Sequence, residues 1–375
     1  MPRPIRALID HRAMAHNLEV VRRTLDQYFP SKESNSLIWA VIKANAYGHG
    51  IEAAVSAFSS ADGLAMLDFE EARRCRAMGW RKPILMLEGA FEEQDIEVSA
   101  QLGLTLVLHH PEQLRLLQVA RPAAPLSIYL KLETGMNRLG LQACQYREVY
   151  KALFDMQLSG QVAQINHMTH FACADLPDGL DEPMARFTEV VSELGGDWSV
   201  SNSAATLGHP QLIAHLCAGV RSWSRPGICL YGGSPFDDRS AGDLGIKSAM
   251  TLRSALISVR DVSTGQGIGY GHTYKATRNM RVGIVACGYA DGYPRHAPTG
   301  TPVGIRGARA PLVGRVSMDM IAVDITELPQ VQVGDEVILW GEGGPTGDEV
   351  AKSAGTISYE LLSAVTARVP RVNVS

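Results

Sequence analysis

Between Ser36 and Gly232 the chain repeats one cycle: a short β-rich run, a brief connection, a segment with helical apolar spacing, and another β-rich run. The runs SLIWAVIKA, DGLAML, PILMLE, LTLVLH, LSIYLKLE, VAQINHMTHF, WSVSNS and RPGICLYG make eight expected strands. Between them, DFEEARRCRAMG, HPEQLRLLQVAR, REVYKALFDM and EPMARFTEVVSEL carry apolar residues three and four apart, as one helix face requires. Several β-rich runs are apolar at consecutive positions, which suits parallel strands buried on both faces. Eight such units fit an α/β chain with an N-terminal (β/α)8 TIM barrel. A doubly wound sheet is the rival. The barrel is favoured because no G-x-G-x-x-G follows an early strand and because the reactive residue types fall at the ends of many different strands.

After about residue 245 the texture changes. MTLRSALISVRDV, MRVGIVACGYA, PVGIRGARAPLVGRVSMDMIAVDI and GDEVILWGE alternate and are rich in glycine, which predicts a C-terminal, mainly antiparallel β domain. One late helix is expected around Tyr359 to Ala367. The division is therefore residues 9–245 and residues 246–375, with residues 1–8 expected to pair with the β domain.

A chain of 375 residues with 46% hydrophobic and 20% charged residues has ample material for a core and is too apolar for disorder. Lys+Arg 35 against Asp+Glu 39 leaves a net charge of −4 and no dense basic stretch, so nucleic acid is not an expected partner. No apolar run approaches membrane-spanning length, and the first thirty residues hold no signal-peptide core; the expectation is a cytoplasmic protein without a membrane partner. The six cysteines, Cys75, Cys144, Cys173, Cys217, Cys229 and Cys287, form neither a C-x-x-C pair nor a Cys/His cluster. They read as small core residues, with no disulfide framework and no metal site.

Lys43 in AVIKANAYGHG is the one charge closing an apolar run, at what would be the active face of a barrel. Position alone leaves two readings: a strand-end lysine that snorkels to water, or a desolvated amine whose pKa falls from about 10.4 and which serves as nucleophile or base.

AVIKANAYGHG resembles the pyridoxal-phosphate lysine motif of the alanine racemases, two-domain fold-type III enzymes. KLETGMNRLG, THFACAD, SNSAA, RPGICLYG, GYGHTY, GYADGYPR, GRVSMDM and ISYELL resemble further segments of that family, in the family's order. The resemblance implies that residues 9–245 bind pyridoxal 5'-phosphate and that Lys43 forms the Schiff base with the cofactor aldehyde. It also implies that Lys43 is one of two bases acting at the substrate α-carbon. Racemisation needs two, because a single fixed base would tend to return the proton to the face it left. The second, by the same resemblance, is Tyr270 in GYGHTY, reaching the active site of the partner in a homodimer with shared sites. A phenol titrates near 10, so a base near neutral pH needs its pKa lowered by about 2 to 3 units.

The remaining assignments follow from the same matches. Arg225 faces the cofactor's pyridine nitrogen; it cannot accept a proton there, which weakens the electron sink and suppresses transamination. His170 packs near the cofactor ring and links Arg225 towards the tyrosine base. Arg138 bonds the phenolic oxygen and helps hold the substrate carboxylate, and Lys131 is a carbamylation candidate that would orient Arg138. Tyr47, Tyr359, Asn202, Ser203, Gly227 and Ile228 receive the phosphate, and Met318 binds substrate through its backbone. Asp175, Tyr289, Arg295, Arg315 and Ile357 line the entrance. Departures from the family pattern are small: Asn137 lies at a variable place, Cys173 where threonine is common, and His272 where arginine or glycine is common. The implied activity is interconversion of L- and D-alanine, supplying D-alanine for bacterial peptidoglycan, and the same chemistry equally fits the family's catabolic branch, which breaks D-alanine down. A broad-specificity amino-acid racemase and a non-catalytic cofactor-binding protein are the alternatives.

Overall fold

The computed structural model describes residues 3–29 and 36–374. The first two residues of the N-terminal segment assigned to the β domain, and the last residue of that domain, lie outside the described residues. The chain opens with β1 (Arg6–Asp10) and α1 (His11–Tyr28). Asp10 starts the helix by accepting from Ala13 N at 2.9 Å, and Met14, Leu18, Val21 and Leu25 repeat along its buried face.

Eight parallel strands then close on themselves: β2 (Ser36–Val41), β3 (Gly63–Met66), β4 (Ile84–Met86), β5 (Thr105–Leu108), β6 (Leu126–Lys131), β7 (Val162–Met168), β8 (Trp198–Ser199) and β9 (Ser222–Ser224). Pairing of Ser36 with Ser222 and Ile38 with Ser224 seals the barrel. Every residue of β3, β4 and β5 is buried, which is why those runs show no polar alternation. Trp39 of β2 meets Tyr129 of β6 edge-on at 6.3 Å and stacks on Trp223 at 4.1 Å, filling the interior from opposite walls.

Three expectations change in detail. RPGICLYG reads as the eighth strand, whereas the strand is SWS just before it and Ile228–Tyr231 forms a buried 3-10 turn. Four consecutive buried apolar residues suit either, and Pro226 cannot donate to a ladder. The late helix is Ser358–Ser363, ending sooner than expected because Thr366 bonds back to Asp291 O and Ala290 O. Four cysteines are buried, but Cys144 and Cys173 are exposed, so the core reading fails for those two.

The chain leaves the barrel after β9, and α1 takes the eighth outer-helix place, packed on the helices Ile51–Ala57 and Pro210–Leu216. Beyond it lie β10 (Met250–Val262), β11 (Gly267–Ile268), β12 (Tyr274–Lys275), β13 (Met280–Val285), β14 (Pro302–Ile305), β15 (Ala308–Pro311), β16 (Ile321–Asp324), β17 (Glu336–Trp340) and β18 (Arg371–Val374). The main sheet runs β15-β14-β17-β10-β1-β18, antiparallel except for β1 with β18; β13 and β16 continue from β10, and β11 with β12 makes a separate hairpin. Among the described residues no helix is long and apolar enough to cross a membrane.

Candidate active site

Lys43 stands at the C-terminal end of β2, where barrel strands open onto the active face. The four residues after it turn left-handed: Ala44, Asn45, Ala46 and Tyr47 have φ of 55°, 51°, 54° and 51°. Each costs roughly 1–2 kcal/mol for an L-residue, so this run persists only because its surroundings over-determine it. Its effect is to send Tyr47 inward, where the ring stacks on Tyr231 at 4.6 Å and lies 6.1 Å from Tyr359.

The chemistry around Lys43 is cationic. Burial, then Arg138, holds the Lys43 amine below the usual lysine range, opposed by Glu88. Burial, then Arg225 and Arg138, pushes Lys131 down to about 8, with Glu133 opposing. Arg225 is buried at the end of β9 and both arms of its fork are bonded: Nη1 donates to Ser199 Oγ at 2.6 Å, and Nη2 to Thr169 O at 2.7 Å. Nη2 also points at His170 Nδ1, 3.3 Å away. An arginine can only donate, so that ring nitrogen accepts and the proton sits on His170 Nε2. Burial, then Arg225, pushes His170 down to about 2, keeping the imidazole neutral.

Four cations thus converge with Glu88 and Glu133 as their carboxylate neighbours, a site that calls for an anionic ligand. Tyr47 and Tyr359 are pushed up, chiefly by burial, so both keep the hydroxyl proton a phosphate oxygen would accept. A Cβ at Gly227 would lie 2.4 Å from Tyr47 Oη, so only glycine lets that hydroxyl settle here. Gly227 N–H is itself occupied by Ser203 Oγ at 2.8 Å, and Ile228 opens the 3-10 turn that follows. Asn202 caps the helix Ser203–Gly208, accepting from Ala205 N at 3.0 Å. This donor set suits a phosphate beside an amine-reactive group.

The barrel mouth therefore gathers Lys43, Tyr47, Lys131, Arg138, His170, Asn202, Ser203, Arg225, Gly227, Ile228 and Tyr359, with Asp175 close enough to Tyr359 to raise its pKa. The structure does not bring Tyr270 or Met318 to Lys43 by any hydrogen bond among the described residues. Tyr270 sits on a turn against Arg315, 71% exposed; Met318 is 53% exposed. The Met318 loop is fastened to the Tyr289 turn through Ala290 N to Met318 O at 3.0 Å, and Tyr289 and Arg295 line one cleft of about 250 Å³. Ile357, 58% exposed, precedes the Tyr359 helix. Sequence reasoning missed Ser199, which anchors Arg225, and also Glu71, His49 and Arg371, which contact the left-handed turn.

Residues 9–235 match the family described as "Alanine racemase, N-terminal domain", and residues 249–373 match "Alanine racemase, C-terminal domain". The chain is 52% identical over 373 residues to an alanine racemase of Bordetella petrii, covering 99% of each, and 52% identical over 371 residues to that of Bordetella avium, again covering 99% of each. Among solved structures, the biosynthetic alanine racemase from Pseudomonas aeruginosa superposes with a TM-score of 0.91 at 44% identity, covering 100% of both chains. Two matched domains, full-length identity and a shared fold place this chain, with its lysine-centred barrel mouth, in the alanine racemase family of isomerases.

Proposed function

We propose that the chain interconverts L- and D-alanine with pyridoxal 5'-phosphate, as a homodimer in which each barrel mouth is completed by the partner subunit's Tyr270. The observation that carries this reading is the split of the site: Lys43 lies half-buried in the barrel mouth while Tyr270 is 71% exposed. Residues 9–245 hold the cofactor in this reading, and residues 246–375, joined by residues 1–8, present the second base.

When bound, pyridoxal phosphate would supply an electron sink for the charge left at the substrate α-carbon. Tyr47, Tyr359, Asn202, Ser203 and Ile228 N–H would hold the phosphate, Gly227 leaves room for Tyr47, and Arg138 would bond the phenolic oxygen. Arg225 would meet the cofactor's ring nitrogen, where its charge would disfavour protonation and favour return of the proton to the α-carbon. Lys43 Nζ, its pKa already lowered, takes or returns the α-proton on one face. The partner subunit's Tyr270 serves the other. Because Arg225 fixes His170 with Nε2 protonated, that N–H can donate to the phenolate and stabilise it. Met318 N–H and Arg138 hold the substrate carboxylate, and Asp175, Tyr289, Arg295, Arg315 and Ile357 narrow the entrance.

Lys131 fits carbamylation. Its pKa of about 8 leaves part of the amine neutral near pH 7 to attack carbon dioxide with loss of a proton, and the resulting anion would face Arg138 and Arg225. The similar Pseudomonas aeruginosa protein is a biosynthetic alanine racemase, which supports the same direction here, so we assign the product to D-alanine for cell-wall precursors in the cytoplasm. The test is a chiral assay of cofactor-loaded protein in deuterated water with L-alanine, L-serine, L-lysine and L-arginine. Strong preference for alanine, with α-deuteration, supports the reading. Good turnover of the cationic substrates would make it a broad-specificity racemase, and no exchange despite bound cofactor would make it a binding protein.

A further inference from the structure

The left-handed turn after Lys43 closes some of its own hydrogen bonds: Ala46 N to Ile42 O at 2.9 Å, Gly48 N to Ala44 O at 3.0 Å and Gly50 N to Asn45 O at 2.9 Å. Three further backbone groups go to side chains, one from the same segment and two from distant parts of the fold. Asn45 N–H donates to Glu71 Oε1 at 2.9 Å, from the helix Phe69–Ala77. Tyr47 C=O receives His49 Nδ1 at 2.9 Å, and Gly48 C=O receives Arg371 Nε at 2.6 Å, from β18 at the far end of the chain.

Two details show that these contacts are specific. Among the described residues Glu71 Oε2 and His49 Nε2 are buried without partners, so each side chain keeps one desolvated atom unpaired while the other serves the turn. Arg371 also donates through Nη2 to Val365 O at 2.9 Å, two residues beyond the helix that carries Tyr359. Gly48 is pressed against that helix, since a Cβ there would lie 2.2 Å from Leu362 O. Arg371 therefore ties the turn bearing Tyr47 to the segment bearing Tyr359.

We propose that Glu71, His49 and Arg371 are positioning residues that clamp this strained turn, Glu71 fixing Lys43 and Arg371 fixing the spacing of Tyr47 and Tyr359. The assignment of ligands rests on the cofactor reading above, but the clamp does not. Without Glu71 the turn relaxes and carries Lys43 towards water. Without Arg371 the two hydroxyls part, while Lys43 stays in place.

The experiment uses the full chain, stripped of cofactor, as wild type and as Glu71→Ala, Glu71→Gln, Arg371→Ala and Arg371→Lys. Affinities for pyridoxal phosphate and for pyridoxal, which lacks the phosphate, are measured by visible absorbance. In parallel, modification of Lys43 by an amine-reactive reagent is followed by peptide mass spectrometry across pH, with thermal melts confirming folded protein at the assay temperature. Glu71→Ala is expected to weaken both ligands about tenfold, as for a lost bond to a charged group, and to slow Lys43 modification at neutral pH, because an amine carried towards water regains its proton. Glu71→Gln keeps an acceptor oxygen and should recover most of both losses. Arg371→Ala should weaken pyridoxal phosphate about tenfold while changing pyridoxal and the Lys43 rate less than about twofold. Arg371→Lys, with one donor point in place of a fork, should recover only part.

Wild-type affinities and Lys43 rate in Glu71→Ala and Arg371→Ala, with only the melting temperature lowered, would overturn the clamp. So would an Arg371→Ala loss equal for both ligands. If wild type binds neither ligand, the cofactor reading fails, and the Lys43 modification rates of Glu71→Ala and Glu71→Gln still decide the clamp.

Discussion

Adding one methyl group at Gly227 should damage this protein out of proportion to its size, and removing one hydroxyl should repair most of the damage. A Cβ there would lie 2.4 Å from Tyr47 Oη and 3.1 Å from Tyr47 Cζ. Gly227 has a φ of −124°, so the cost is set by contact and not by the left-handed region. Tyr47 has little freedom to retreat: it is 7% exposed, stacked on Tyr231 at 4.6 Å, and its backbone belongs to the left-handed turn. Overpacking of this kind costs about 1–3 kcal/mol, and the rigidity of the stack puts Gly227→Ala at about 2 to 3 kcal/mol. In a Tyr47→Phe background the nearest atom is the ring carbon at 3.1 Å, which yields by a few tenths of an ångström, and the cost should fall below about 1 kcal/mol. Urea unfolding of wild type, both single variants and the double variant measures the coupling, expected at about 1 to 2 kcal/mol. An equal cost of Gly227→Ala in both backgrounds would show that the Tyr47 hydroxyl is not what keeps this position a glycine.

Most of the fold is legible because the barrel is built from local patterns. Consecutive buried residues in β3 to β5 and capped amphipathic helices each announce themselves within a dozen residues. The last barrel strand is legible less well: a three-residue strand has too little length to show a period, and the apolar ICLY beside it is louder. The N-terminal helix that closes the outer ring is invisible as such, because its place depends on where the chain exits after β9. The site divides in the same way. Lys43 is conspicuous as a lone charge closing an apolar strand, whereas Glu71 looks like part of an ordinary helix start, three residues after the capping Asp68. Nothing local shows that its carboxylate reaches back to Asn45, or that Arg371 reaches a turn more than three hundred residues earlier.

Three further outcomes follow from the same geometry. On the proposed shared-site dimer, mixing inactive Lys43→Ala with inactive Tyr270→Phe subunits should restore part of the activity, because one barrel mouth of the mixed dimer would keep both bases; no recovery despite demonstrated subunit exchange would place both bases in one chain. Native mass spectrometry in bicarbonate should find one carbon dioxide adduct per chain, absent from Lys131→Met, and its absence from wild type as well would remove the carbamate. Stability should also fall on acidification from pH 6.5. Burial lowers His49 to about 4 and His170 to about 2 from 6.5 and also holds His109 and His167 below 6.5, so below pH 6.5 the unfolded chain takes up at least two protons that the native protein refuses. Each proton contributes about 1.4 kcal/mol per pH unit, giving about 2.7 for the pair. Glu71, whose carboxyl burial pushes up, works against this by at most one proton. The net slope of unfolding free energy between pH 6 and pH 5 should therefore be at least about 1.4 kcal/mol per unit. His49→Asn keeps a donor for the Tyr47 carbonyl but cannot titrate, and should lower that slope by about 1.4 kcal/mol per unit. A flat wild-type profile over this range, or a slope untouched by His49→Asn, would mean that the imidazole beside the left-handed turn accepts its proton without opening the fold.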